Sequence, residues 1–129
     1  MNLRMVIAVA AGGALGSVLR YVAVSQIGRL TGAALPYYGT LAVNVAGSAV
    51  LGMLIAAFAF VWSPSPEWRA FMVVGVLGGF TTFSAFSLDA YYLMERGAYG
   101  TAGAYMLASV ALSLIGLVVG LIGLRALVA

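Results

Sequence analysis

Cysteine, histidine and lysine are all missing from this sequence, and charge of either sign is scarce. Without cysteine there are no disulfides and no thiol chemistry, and without histidine the usual transition-metal ligand sets cannot be assembled. Arg4, Arg20, Arg29, Glu67, Arg69, Asp89, Glu95, Arg96 and Arg125 are the only charged residues, 7% of 129 positions where a soluble domain carries about a quarter. Hydrophobic residues make up 64% and the mean hydropathy is +1.14, so a water-soluble fold is excluded. The net charge of +3 is spread over single arginines that form no basic patch, and nucleic acid is not implied as a partner. No nucleophile and base pair, phosphate loop or metal cluster stands out, and an enzyme is not expected.

What is present is long apolar runs. Residues 30–66, 70–88 and 97–124 carry no charge, and each can hold the roughly 20 apolar residues that cross a hydrocarbon core. Residues 5–28 make a fourth run, interrupted only by Arg20, which near a helix end can reach the interface. This stretch also has features of a secretory signal, but its apolar character continues past Arg20. The pattern predicts helices at about 3–28, 37–62, 67–95 and 100–126 in a single four-helix transmembrane domain over residues 1–129. Gly28, Gly32 and Pro36 punctuate the first link, Ser63-Pro64-Ser65-Pro66 the second, and Gly97 and Gly100 the third. Ser65 before Pro66 and Glu67 reads as a helix start.

Arginines near the span ends are balanced. Four spans put Arg4, Arg69 and Arg125 on one side and Arg29 and Arg96 on the other, with Arg20 leaning toward the second. The positive-inside rule then sets no direction, and insertion both ways would let two copies pair antiparallel. Gly12xxxGly16, Gly75xxxGly79 and Gly116xxxGly120 are close-approach motifs for packing helices. Four thin helices enclose little, so a polar conduit needs a second subunit.

Polar residues sit within the apolar runs in a regular way. In the third run, Gly78-Gly79-Phe80-Thr81-Thr82-Phe83-Ser84 places two glycines and then β-branched residues at mid-span, which weakens a helix. Unwound backbone there would line a cavity and offer carbonyls to a cation, or the glycines make a simple kink with back-bonded hydroxyls. Thr40 and Asn44, four apart, share one helix face, where the amide either bonds a neighbouring helix or donates to an anion. Tyr105, Ser109 and Ser113, at spacing four and four, form a hydroxyl stripe that is either back-bonded or a ladder of donors along a pore. Phe83 and Phe86 share a face and could turn ring edges to an anion, although phenylalanine in a membrane helix is ordinary. Arg20 reads as a structural anchor and Asp89 as an interfacial acid.

Taken together, Gly12-Gly13-Ala14-Leu15-Gly16 with Arg20-Tyr21, Gly39-Thr40-Leu41 leading to Asn44 and Gly47, and the run Gly78 to Ser87 resemble the CrcB (Fluc) fluoride channel family over essentially the whole chain. The resemblance implies an all-α membrane protein with a broken third helix, an antiparallel dual-topology homodimer in a bacterial inner membrane. It implies passive efflux of fluoride that lowers the cytoplasmic level. By motif position, Asn44 would be the pore donor, Phe83 and Phe86 the aromatic edges, and Tyr105, Ser109, Ser113 and Thr40 the polar track. Gly78 and Thr81 would turn backbone carbonyls to a structural sodium ion at the dimer centre. Asp89 stands where the family commonly has Glu, a shorter acid at a pore mouth. Two other readings stand beside this one: a small dual-topology proton-coupled multidrug exporter, which would need a membrane carboxylate that the first helix lacks, and a noncatalytic assembly subunit.

Overall fold

Each apolar run becomes a helix because in lipid only a helix satisfies its own backbone groups. The computed structural model describes residues 1–32 and 37–129, and every element among them is helical. In chain order they are α1 (Leu3–Thr31), α2 (Tyr37–Phe60), α3 (Pro66–Arg69), a π-helical stretch (Ala70–Leu77), α4 (Gly78–Phe80), α5 (Phe83–Glu95) and α6 (Tyr99–Val128). Four helices are long and apolar enough to cross a membrane, α3 through α5 together forming the third.

Local chemistry accounts for the ends. Asn2 caps α1, its side chain accepting from the Arg4 N–H at 3.0 Å. The helix runs past Gly28, where nothing forces a stop, to Gly32, whose φ of +82° suits glycine. Ser65 Oγ accepts from the Trp68 N–H at 3.3 Å with Pro66 in the first turn, the start expected from sequence. Gly97, with φ +75°, turns the chain after α5, whereas Gly100 lies within α6. Pro36, expected in the first link, lies outside the described residues.

Two glycine seams hold the helices. α1 packs on the π-helical stretch and α4, and α2 on α6. A Cβ on Gly12 or Gly16 would strike the Phe71 or Val76 carbonyl, and one on Gly75 would lie 2.8 Å from the Gly12 Cα. In the second seam a Cβ on Gly52 or Gly120 would strike the Leu117 or Ala49 carbonyl. All three small-residue motifs thus serve close helix approach, where dispersion replaces the hydrophobic force that lipid does not supply. At the end of the bundle where α2 finishes, the Arg69 guanidinium lies 5.1 Å from the Phe58 ring and that of Arg125 5.5 Å from the Phe60 ring.

Candidate functional site

The third span breaks at the threonines and not at the glycines. Gly78 and Gly79 remain helical in α4, while Thr81 (ψ 159°) and Thr82 (φ −155°, ψ 122°) are extended. β-Branched residues accept an extended backbone readily. Gly79 serves a different purpose, since a Cβ there would lie 2.7 Å from the Gly13 carbonyl. Upstream, the eight-residue π-helical stretch widens the turn, so the Gly78 N–H reaches back to the Val73 carbonyl.

Backbone groups freed by the break find partners on other spans. Asn44 on α2 donates from Nδ2 to the Thr82 carbonyl at 2.9 Å and accepts the Thr82 N–H on Oδ1 at 2.7 Å. Of the two sequence readings, the interhelical bond therefore holds, and one amide N–H remains available to another acceptor. Arg20 does not simply reach for the interface, because its Nη1 donates to the Thr81 carbonyl at 3.3 Å. The Thr81 hydroxyl returns to the Leu77 carbonyl at 2.9 Å, and Thr82 Oγ1 caps α5 by accepting from the Ala85 N–H at 3.2 Å.

Beside the break lies a groove of about 480 Å³, open along one side, between α2, the broken span and α6. Asn44, Ser48, Thr81, Thr82, Ser109 and Ser113 give it a polar side, and Phe83 and Phe86 an aromatic one. Gly78 lines it too. Seven of the residues singled out from the sequence thus meet in one place. Thr40, Tyr105, Asp89 and Arg20 lie outside the groove wall. Tyr105 connects to it through its ring, 5.4 Å from that of Phe86, which in turn lies 5.2 Å from Phe83. The Tyr105 hydroxyl donates to Asp89 Oδ2 at 3.2 Å, and Thr40 stands beside the same phenol. Asp89 is therefore tied to Tyr105.

Polarity in the groove is incompletely paired. Ser109 is 6% exposed and its Oγ has no hydrogen-bond partner among the described residues. Phe83 is 77% exposed, an apolar ring at the open side. Among the described residues no group of three or more acidic, histidine or cysteine side chains could hold a metal ion. Sequence reasoning missed Ser48, although its signal was available: it continues the Thr40 and Asn44 face by one more turn of four residues. Thr82, noted there only as part of a motif, is the residue that Asn44 holds.

Known proteins match this sequence over most of its length. The family model described as CrcB-like protein, Camphor Resistance (CrcB), matches residues 7–121. Among similar proteins, the Fluoride-specific ion channel FluC of Rhodospirillum centenum (strain ATCC 51521 / SW) is 54% identical over 127 residues, covering 98% of this chain and 100% of that one. The protein of the same name from Chelativorans sp. (strain BNC1) is 56% identical over 110 residues, 85% of this chain and 87% of its own. That of Rhizobium meliloti (strain 1021) is 49% identical over 123 residues, 95% and 98% of the two chains. A family match over most of the chain, with relatives aligned nearly end to end, makes this four-span protein a member of the CrcB family.

Proposed function

We propose that this chain is a fluoride-specific ion channel, working as an antiparallel pair of identical subunits in a bacterial inner membrane and letting fluoride leave the cytoplasm down its gradient. The observation that carries the reading is the groove, where the buried Ser109 hydroxyl has no hydrogen-bond partner among the described residues and Asn44 keeps one amide N–H beyond its bonds to Thr82. Relatives aligned over nearly their full length carry that function in their names. Fluoride is small and strongly hydrated, so it crosses only where closely spaced donors replace its water. Asn44 offers its remaining amide N–H, Ser109 and Ser113 their hydroxyls, and Phe83 and Phe86 the positive edges of their rings. Tyr105 and Thr40 continue the line toward Asp89. Because the groove is open and Phe83 exposed, one copy leaves the path unsealed, and a second copy facing it would close it. Balanced arginines favour neither insertion direction, which suits an antiparallel pair.

A structural sodium ion belongs to the same reading. The Gly78 carbonyl loses its helical partner because the Thr82 N–H turns to Asn44, and the Thr81 carbonyl keeps a second lone pair beside a long bond from Arg20. Neutral backbone oxygens without a carboxylate suit a monovalent cation better than calcium or magnesium. Gly78 and Thr81 from both subunits would hold it, and its charge would tie the two broken helices together.

The test is purified protein in liposomes, with fluoride efflux recorded against chloride. Rapid fluoride efflux with chloride retained is expected. Passage of neither ion, from protein that remains folded, would overturn the channel reading in favour of an assembly subunit.

A further inference from the structure

Several hydroxyls in the spans of this protein return to their own helix. Thr31 donates back to the Ile27 carbonyl at 2.8 Å, Thr81 to Leu77 at 2.9 Å and Ser87 to Phe83 at 3.0 Å. That is the usual fate of a hydroxyl in an apolar helix, where a carbonyl four residues back is the nearest acceptor. Ser48, Ser109 and Ser113 make no such bond among the described residues, nor do Ser17, Ser25 and Thr101, but of these six only the first three line the groove. Ser109 is the buried extreme, its Oγ in hydrogen-bond geometry with no described residue although it stands one turn from the Tyr105 phenol. An unpaired buried hydroxyl costs stability, so its retention in the groove points to a ligand that enters there.

Register brings these groups level across the groove. α2 and α6 are the second and fourth spans and run in the same direction. Thr40 stands beside Tyr105, and further along Gly52 packs against Leu117. The intermediate turns therefore set Asn44 against Ser109 and Ser48 against Ser113. Each rung lies one turn of four residues from the next, about 6 Å along the axis.

We propose that Ser48 is a pathway residue, its hydroxyl and that of Ser113 jointly donating to fluoride one turn past Asn44. This inference rests on the channel reading and extends the donor line to a subsite of two neutral hydroxyls from facing helices. Neutral donors at successive turns suit conduction, because they replace water around the ion without holding it as an arginine would.

The experiment compares fluoride efflux from liposomes for the natural chain, Ser48→Ala, Ser48→Thr and, as a control, Thr31→Ala, whose hydroxyl is tied to its own helix. Ser48→Ala removes the donor and little volume, and it is expected to slow efflux by about tenfold or more, the effect of losing one hydrogen bond to a charged partner. Ser48→Thr keeps a hydroxyl and should recover most of the rate, and both variants should elute like the natural chain in size exclusion. Thr31→Ala should be unchanged. Natural-rate efflux in Ser48→Ala overturns the assignment, as does equal slowing in Ser48→Ala and Ser48→Thr, which would reduce Ser48 to packing. A natural chain that passes no fluoride overturns the channel reading, and this inference falls with it.

Discussion

Asn44 and Thr82 exchange two hydrogen bonds, the amide of one serving the backbone N–H and carbonyl of the other at 2.7 and 2.9 Å. A side chain on α2 thereby does for the broken span what a helical turn would otherwise do. The break needs this, since unpaired backbone at membrane depth costs several kcal/mol per group, about the worth of the fold's whole margin if left unmet.

Asn44→Ala should therefore lower thermal stability by about 2–4 kcal/mol through two unmet backbone groups, and it should slow fluoride efflux as well. Asn44→Asp keeps the acceptor for the Thr82 N–H but not the donor, so an intermediate loss is expected. Val45→Ala, away from the groove wall, is the comparison. Melting in detergent alongside liposome efflux checks all three, and a stable, fully conducting Asn44→Ala would remove Asn44 from both roles.

The seam between α1 and the third span predicts a contrast within one motif. Gly16→Ala would drive a methyl group into the Val76 carbonyl, whereas a Cβ on Gly13 meets nothing within 4 Å. Overpacking a rigid seam costs about 1–3 kcal/mol, so Gly16→Ala should lower the yield of monodisperse protein while Gly13→Ala should not. Equal yields would mean that the seam is looser than this packing implies.

Gly78 separates effects within one chain from effects between chains. Its φ of −63° suits any residue, and a Cβ would meet only the Val73 carbonyl at 3.8 Å. Gly78→Ala should leave the melting of a single chain unaffected, and a change in the sodium dependence of efflux, as distinct from a slower rate at every sodium level, would place the effect at the cation site and not in the groove wall that Gly78 also lines. Thr81→Ser should retain that dependence, because the ligand is a backbone oxygen. Replacing sodium with a large organic cation should slow efflux in the natural chain, and indifference to sodium would count against the site.

Orientation offers the remaining test. Several lysines added to the link around Ser63 and Ser65 should force a single direction of insertion. Such a chain should conduct fluoride only when supplied with a copy biased the other way. Full conduction by the biased chain alone would rule out antiparallel pairing.

Four spans, the capped start of the third and the small-residue packing motifs were legible in the sequence, because each depends on local composition: charge-free length, a Ser-Pro-Glu start, small residues at helical spacing. A break in the third span was legible too, from glycines and threonines together in a hydrophobic run. Which residues would unwind was not. The choice of Thr81 and Thr82 over Gly78 and Gly79 was made by α1, whose Gly13 carbonyl requires a glycine at 79, and by α2, whose Asn44 receives the extended backbone. Tertiary structure alone turned Arg20 to the Thr81 carbonyl and Asp89 to the Tyr105 hydroxyl, and left Ser109 without a partner. Helical spacing determines which residues share a face, but what that face meets depends on the rotation and register of the neighbouring helix, and those are set by where glycines let two backbones touch.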